Sequence, residues 1–130
     1  MSAKEDLGVI QSAYEAFGRG DIPAVLQGFA SDIQWHIPGN NPLAGTYKGQ
    51  DEVVGFFTQL AERSGGTFNL EIEDWLASDE HVVVLVRETG QRDGKRLNVA
   101  GAHIWRLKDG KAVDFSFGSA DQHAQDDFWA

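Results

Sequence analysis

The feature that most constrains this chain is a change of hydrophobic period at Gly65-Gly66. Before that pair, apolar residues recur mostly at helical spacing; after it they alternate, in runs separated by short turn signals. Helices that precede such a sheet must bury their apolar stripes on one of its faces. The order of elements therefore predicts an α+β fold, with three N-terminal helices packed against a sheet.

The individual signals are local and physical. Ser2-x-x-Glu5 has the form of a capping box, in which each side chain satisfies an orphan backbone N–H. Leu7, Ile10, Tyr14 and Phe17 follow as one stripe, and Gly18 and Gly20 end that helix. Asp21 caps a second helix, with Pro23 tolerated in its first turn and Val25, Leu26 and Phe29 expected on its buried face. Ile33, Trp35 and Ile37 alternate with Gln34 and His36, the period of a strand with one apolar face. Pro38-Gly39-Asn40-Asn41-Pro42 forces a loop. Val53, Phe56, Phe57 and Leu60 mark the third helix, after Gly49.

Beyond Gly65-Gly66, Phe68, Leu70 and Ile72 alternate with polar residues, and His81 to Thr89 is a β-branched run. Asp93-Gly94 and Asp109-Gly110 are hairpin signals. Leu97 to Leu107 is long enough for a bent central strand, with Gly101 a place for the bend or a bulge. Val113, Phe115 and Phe117 form the last alternating run. Four successive strands joined by tight turns make an antiparallel meander, because parallel pairing needs long crossovers. With no repeat, linker or low-complexity tract, residues 1–130 read as one domain.

Composition narrows the function classes. Hydrophobic residues make up 42% of the chain, enough for a substantial core. The formal net charge of −9 repels phosphate backbones and anionic headgroups, so nucleic acid and membrane surfaces are not expected partners. The absence of cysteine excludes disulfides, thiolate metal sites and thiol nucleophiles. The first residues lack the apolar stretch of a signal peptide, and no segment approaches the roughly 20 apolar residues of a membrane span. A cytoplasmic location is the expectation. No phosphate loop, dinucleotide fingerprint or Gly-x-Ser-x-Gly elbow occurs, so no cofactor is expected.

Several runs resemble one superfamily in order and spacing over nearly the whole chain. They are Phe17-Gly18-Arg19-Gly20-Asp21, Phe29-Ala30-Ser31-Asp32-Ile33-Gln34-Trp35, Pro42-Leu43-Ala44-Gly45-Thr46-Tyr47-Lys48-Gly49 and Ile104-Trp105-Arg106-Leu107-Lys108-Asp109-Gly110-Lys111. The chain resembles the nuclear transport factor 2-like (cystatin-like) superfamily, and within it SnoaL-like proteins, relatives of ketosteroid isomerase and polyketide cyclases. That resemblance implies a cone-shaped curved sheet wrapped around the three helices, an apolar interior chamber, and a homodimer built on the sheet's outer face. It does not by itself imply one reaction, because the superfamily includes isomerases, cyclases, hydrolases, dehydratases and non-catalytic binders.

The resemblance also places residues. The aspartate base of ketosteroid isomerases falls on Ile37, in Trp35-His36-Ile37-Pro38, and isoleucine moves no proton. The tyrosine of that enzyme's oxyanion hole falls on Ala13, one residue before Tyr14, and its protonated aspartic acid falls on His103. The last-strand aspartate of limonene-epoxide hydrolases falls on Phe117. Neither familiar reaction is expected.

His103 is the candidate catalytic residue that remains. It shares strand phase with Gly101 and Trp105, the resemblance turns it toward the chamber, and an imidazole exchanges protons near neutral pH. The alternative is a buried histidine satisfied by Tyr14 or a backbone carbonyl. Tyr14, Phe17, Trp35, Ile37, Phe56, Trp105, Phe115 and Phe117 are the expected substrate-binding lining, or else simply core. Arg87 is a further substrate-binding candidate: turned inward it would hold an anionic oxygen, turned outward it is a cross-strand partner, and Glu88 faces the opposite way. His36 is out of phase with Trp35 and is expected outside; His81 and His123 read as surface residues, and Phe128-Trp129 either caps the opening or packs across a dimer. The histidine spacings suit no zinc site.

Two functions remain in view. One is a cofactor-independent isomerase-, cyclase- or hydratase-type enzyme acting on a hydrophobic carbonyl or polyketide-like substrate. The other is a non-catalytic ligand-binding or dimerisation module using the same chamber.

Overall fold

The computed structural model describes residues 2–130. Helix α1 (Ala3–Gly18) begins with the capping box, Glu5 N–H donating to Ser2 Oγ and Ser2 N–H to Glu5 Oε1, each at 3.2 Å. Helix α2 (Ile22–Leu26) starts at Asp21, whose side chain accepts from Ala24 N–H. Strand β1 (Phe29–Ile37), a short β2 (Gly45–Lys48) and helix α3 (Gly49–Arg63) follow. The meander is β3 (Asn69–Ala77), β4 (His81–Arg92), β5 (Lys95–Lys108) and β6 (Lys111–Ser119), and helix α4 (Gln122–Trp129) ends the chain.

The six strands form one curved, unclosed sheet in the order β2-β1-β6-β5-β4-β3. All neighbours pair antiparallel except β1 and β6, which are parallel, so the sheet is mixed. Asp93 and Gly94, and again Asp109 and Gly110, take positive φ at the tips of the two hairpins, as tight turns matched to strand twist require. α1 packs on β3 and β4, α3 on β1, and α4 on β5 and β6.

The inner face is decided by strand alternation. Val82, Val84, Val86 and Glu88 point inward from β4; Leu97, Val99, His103, Trp105 and Leu107 do so from β5. Register aligns Trp35 with Phe115, Phe115 with Trp105, and Trp105 with Val82, giving an apolar row across four strands. Trp35 stacks on Phe115 with centroids 3.8 Å apart, and Trp105 meets Phe115 edge-on at 4.6 Å. Burying each such side chain contributes about 1.5–3 kcal/mol before the cost of ordering it.

Three local readings are corrected. Phe29 is the first residue of β1 and packs on Trp35 and Trp105; it is not on the buried face of α2. Gly101 carries no bulge: the register of β5 against β6 shifts between Arg106 and Leu107 instead. What makes Gly101 a glycine is proximity, because a Cβ there would lie 2.6 Å from Phe117 Cε1 and 2.8 Å from the Gly118 carbonyl oxygen. In β3 the register shifts between Ile72 and Asp74, which turns Trp75 inward and breaks the simple alternation.

Candidate functional site

The helices and the concave face of the sheet border a partly open cavity of about 90 Å³. Its walls are largely rings and aliphatic groups: Phe17, Phe29, Trp35, Phe56, Phe57, Trp105, Phe115, Phe117 and Trp129, with Ile37, Leu43, Leu60 and Leu70. Tyr14, Glu88, His103 and Gln125 form a polar cluster in that wall. Asn41 and Gln122 also contribute, where the 38–44 loop meets α4.

The cluster is one continuous hydrogen-bonded chain, and its directions follow from what each group can do. The indole N–H of Trp105 donates to the Tyr14 hydroxyl at 3.1 Å. An indole nitrogen only donates, so the phenol oxygen accepts there and its O–H is left for His103 Nδ1, at 2.5 Å. Nδ1 is then the acceptor, and the proton of the neutral ring sits on Nε2, which faces Glu88 Oε2 at 3.4 Å. From the other end, Trp129 N–H donates to Gln125 Oε1 at 3.2 Å, which fixes the amide so that its NH₂ donates to Glu88 Oε1 at 2.9 Å. Both Glu88 oxygens accept, the pattern of a carboxylate.

This is a buried arrangement: Glu88 is 7%, His103 6% and Gln125 3% exposed. Burial pushes the Tyr14 hydroxyl well above the ordinary phenol range, so it holds its proton at neutral pH. Phe115 and Phe117 stand edge-on to the imidazole at 5.1 and 5.4 Å, and the Trp75 ring meets Tyr14 edge-on at 5.4 Å. An imidazole held between a phenol and a carboxylate among rings is the kind of arrangement that can exchange protons along its hydrogen bonds, because each donor is already oriented.

The expected lining residues Tyr14, Phe17, Trp35, Ile37, Phe56, Trp105, Phe115 and Phe117 all border this cavity, together with His103. Arg87 does not, and its assignment to substrate binding is corrected. It occupies the outward phase of β4 and donates to Asn98 Oδ1 at 2.8 Å across the exposed face. Glu88 takes the inward place. The signal was present, since Glu88 continues the phase of Val82, Val84 and Val86. His36 lies on the outer face between Thr46 and Asp114, each 3.1 Å away, and His81 and His123 are exposed.

Helix α4 had no clear signature beyond Asp121, which accepts from Ala124 N–H at its start. It buries Gln125, Phe128 and Trp129 and brings Gln125 to Glu88. Its other anchor is Asp126, whose Oδ1 accepts from Asn41 Nδ2, Asn40 N–H and Gln122 Nε2 at 2.8, 2.9 and 3.0 Å. These bonds hold the Asp126 carboxyl below the usual carboxylate range, the Asn41 side chain contributing most. Gly39 passes so close that a Cβ would fall 2.3 Å from Asp126 Oδ1. The 38–44 loop and α4 are thereby tied together at one end of the cavity.

The comparisons with known proteins follow this architecture. A family model described as SnoaL-like domain matches residues 10–115. An uncharacterized protein of Mycobacterium tuberculosis is 33% identical over 131 residues, spanning 100% of both chains. Bal32a, from a soil-derived mobile gene cassette, superposes with a TM-score of 0.95 at 31% identity, covering 98% of each chain. A protein of unknown function with a cystatin-like fold from Xanthomonas campestris superposes with a TM-score of 0.90 at 32% identity, covering 96% of this chain and 98% of that one.

Proposed function

This chain belongs to the SnoaL-like domain family, and from that premise we propose that it is a cofactor-independent acid–base enzyme acting on an apolar carbonyl or polyketide-like small molecule. The observation that carries the reading is the Tyr14–His103–Glu88 chain in the wall of an apolar cavity.

In the resting arrangement Nδ1 of His103 is a free base except for the Tyr14 hydrogen bond. When a substrate carbonyl oxygen enters, the Tyr14 O–H turns to it, and Nδ1 takes a proton from the carbon beside that carbonyl. The enolate oxygen is held by Tyr14, and the imidazolium is stabilised by Glu88 through Nε2–H. Return of the proton to a different carbon completes an isomerisation with no co-reactant. Attack of the enolate carbon on a second carbonyl of the same molecule, with the imidazolium proton passing to the alkoxide that forms, completes a cyclisation instead.

The cavity of about 90 Å³ is smaller than the ~150 Å³ hollow that holds benzene in an engineered protein.

The test is turnover of a panel of apolar ketones and enols by wild type and His103→Ala. The reading expects the variant to fold and bind while losing turnover; undiminished turnover would remove His103 from the mechanism.

A homodimer on the outer sheet face belongs to the same proposal. Leu76, Leu85 and Ile104 are 49%, 38% and 42% exposed on that face, and Leu76 and Ile104 both register with Val83. Ile72, 37% exposed, lies in the inward phase and is not part of this patch.

A further inference from the structure

Three tryptophans border the cavity, and their indole N–H groups have different fates. Those of Trp105 and Trp129 are spent on the polar cluster, at 3.1 Å to Tyr14 and 3.2 Å to Gln125. That of Trp35 has no acceptor among the described residues, although the side chain is only 5% exposed. Its neighbours explain why. The ring stacks on Phe115 and is flanked by Phe29, Phe57 and Trp105 with centroids 5.5 to 5.7 Å away, none of which offers an oxygen. Buried donors in native proteins are almost always partnered, so a donor left over on a residue that borders a cavity calls for an acceptor that the chain itself does not supply.

We propose that the Trp35 indole N–H is the ligand-orienting donor of this cavity, and that it takes a neutral oxygen acceptor, a ketone or ether, on an otherwise apolar guest. The inference rests on the reading of the cavity as a small-molecule chamber and adds which atom fixes the guest. Neutrality follows from the lining. Among the described residues no Lys or Arg borders the cavity, and its one acidic side chain is Glu88. A carboxylate or phosphate would enter an apolar space with a like charge and no counter-ion. Phe115 lies between the two polar elements, stacked on Trp35 and edge-on to His103 at 5.1 Å.

The experiment uses two probes of one shape, cyclopentanone and methylenecyclopentane, titrated into ¹⁵N-labelled protein while the four tryptophan indole resonances are followed. The Trp35 resonance is assigned by its loss in Trp35→Phe, or by elimination with Trp75→Phe, Trp105→Phe and Trp129→Phe. The expected result is that cyclopentanone moves the Trp35 indole proton downfield and binds about 3- to 10-fold tighter than the alkene, the worth of one net hydrogen bond. In Trp35→Phe the preference for the ketone is lost or reversed, because a buried ketone oxygen with no donor has given up its hydrogen bonds to water. Equal binding of both probes to wild type, with the Trp35 indole unmoved by the ketone, overturns the inference while leaving the chamber in place. Failure of either probe to perturb any cavity resonance overturns the chamber reading, and this inference with it.

Discussion

The indole nitrogen of Trp105 lies 3.1 Å from the hydroxyl oxygen of Tyr14, and this contact sets the direction of the protons on Tyr14 and on the neutral His103 ring. Because the indole only donates, Tyr14 must pass its own O–H onward to His103 Nδ1. The site's imidazole is thus oriented through the Tyr14 hydroxyl by an indole that does not hydrogen-bond to it.

The first prediction concerns that imidazole. The hydrogen-bond directions place the proton of the neutral His103 ring on Nε2, which long-range ¹H–¹⁵N correlation spectra of the ring report directly. Trp105→Phe frees the phenol oxygen and weakens this bias, so the ring nitrogens of the variant move toward a mixture of tautomers. A wild-type ring protonated on Nδ1 would contradict the hydrogen-bond directions assigned here.

Glu88→Gln is expected to be costly despite its shape. The replaced side chain presents one acceptor and one donor to two donors, His103 Nε2–H and the Gln125 amide. One clash or orphan results, worth about 1–3 kcal/mol of stability. Urea unfolding of the variant measures it, and a loss below about 0.5 kcal/mol would mean that Glu88 is not the buried acceptor of both.

Asp126 gives a pH-dependent prediction. Its folded carboxyl is held below the ordinary value of about 3.9, so its contribution is fully present above that value. It fades as pH falls through the lower folded value. The difference in melting temperature between wild type and Asp126→Ala is therefore expected to be constant from pH 7 to pH 5 and to shrink below pH 4. A difference that stays constant to pH 2.5 would assign the effect to packing.

Gly101→Ala tests the close approach of β5 to β6. The added Cβ meets the Phe117 ring and the Gly118 carbonyl well inside contact distance. Since one of those partners is backbone, the strands must part, at a cost of about 1–3 kcal/mol. Thermal unfolding should show the loss together with a disturbed Phe117 ring environment.

Leu85→Lys places a charge in the proposed dimer face while leaving the inward phase of β4 untouched. Light scattering is expected to report a dimer for wild type and a monomer for the variant. A monomeric wild type at micromolar concentration would end the dimer proposal.

Much of the architecture was legible because it is written in local period. The capping box at Ser2, the stripe of α3 and the Asp-Gly hairpins each encode their element within a few residues. The alternation of β4 and β5 likewise shows that Glu88 and Arg87 face opposite ways and that His103 shares a face with Trp105, while which face is inward is seen in the structure. Strand β2 escaped because four mostly exposed residues carry no alternation, and α4 because eight largely polar residues give its buried face little signal.

What the linear pattern could not decide was which inward groups meet. In register His103 faces Val84, four residues from Glu88 along β4, or about 13 Å on a flat strand. Their side chains touch only because the sheet curves. Tyr14 arrives from a helix 89 residues away in sequence, and Gln125 from a terminal helix 37 residues beyond Glu88. Along β4 and β5 periodicity carries the alternation of faces, since that is a property of neighbouring backbone dihedrals, but it left open which of Arg87 and Glu88 turns inward, and the register shift in β3 breaks it. The assembly of phenol, imidazole, carboxylate and amide into one chain was decided only by tertiary structure, because it depends on sheet curvature and on where two helices dock.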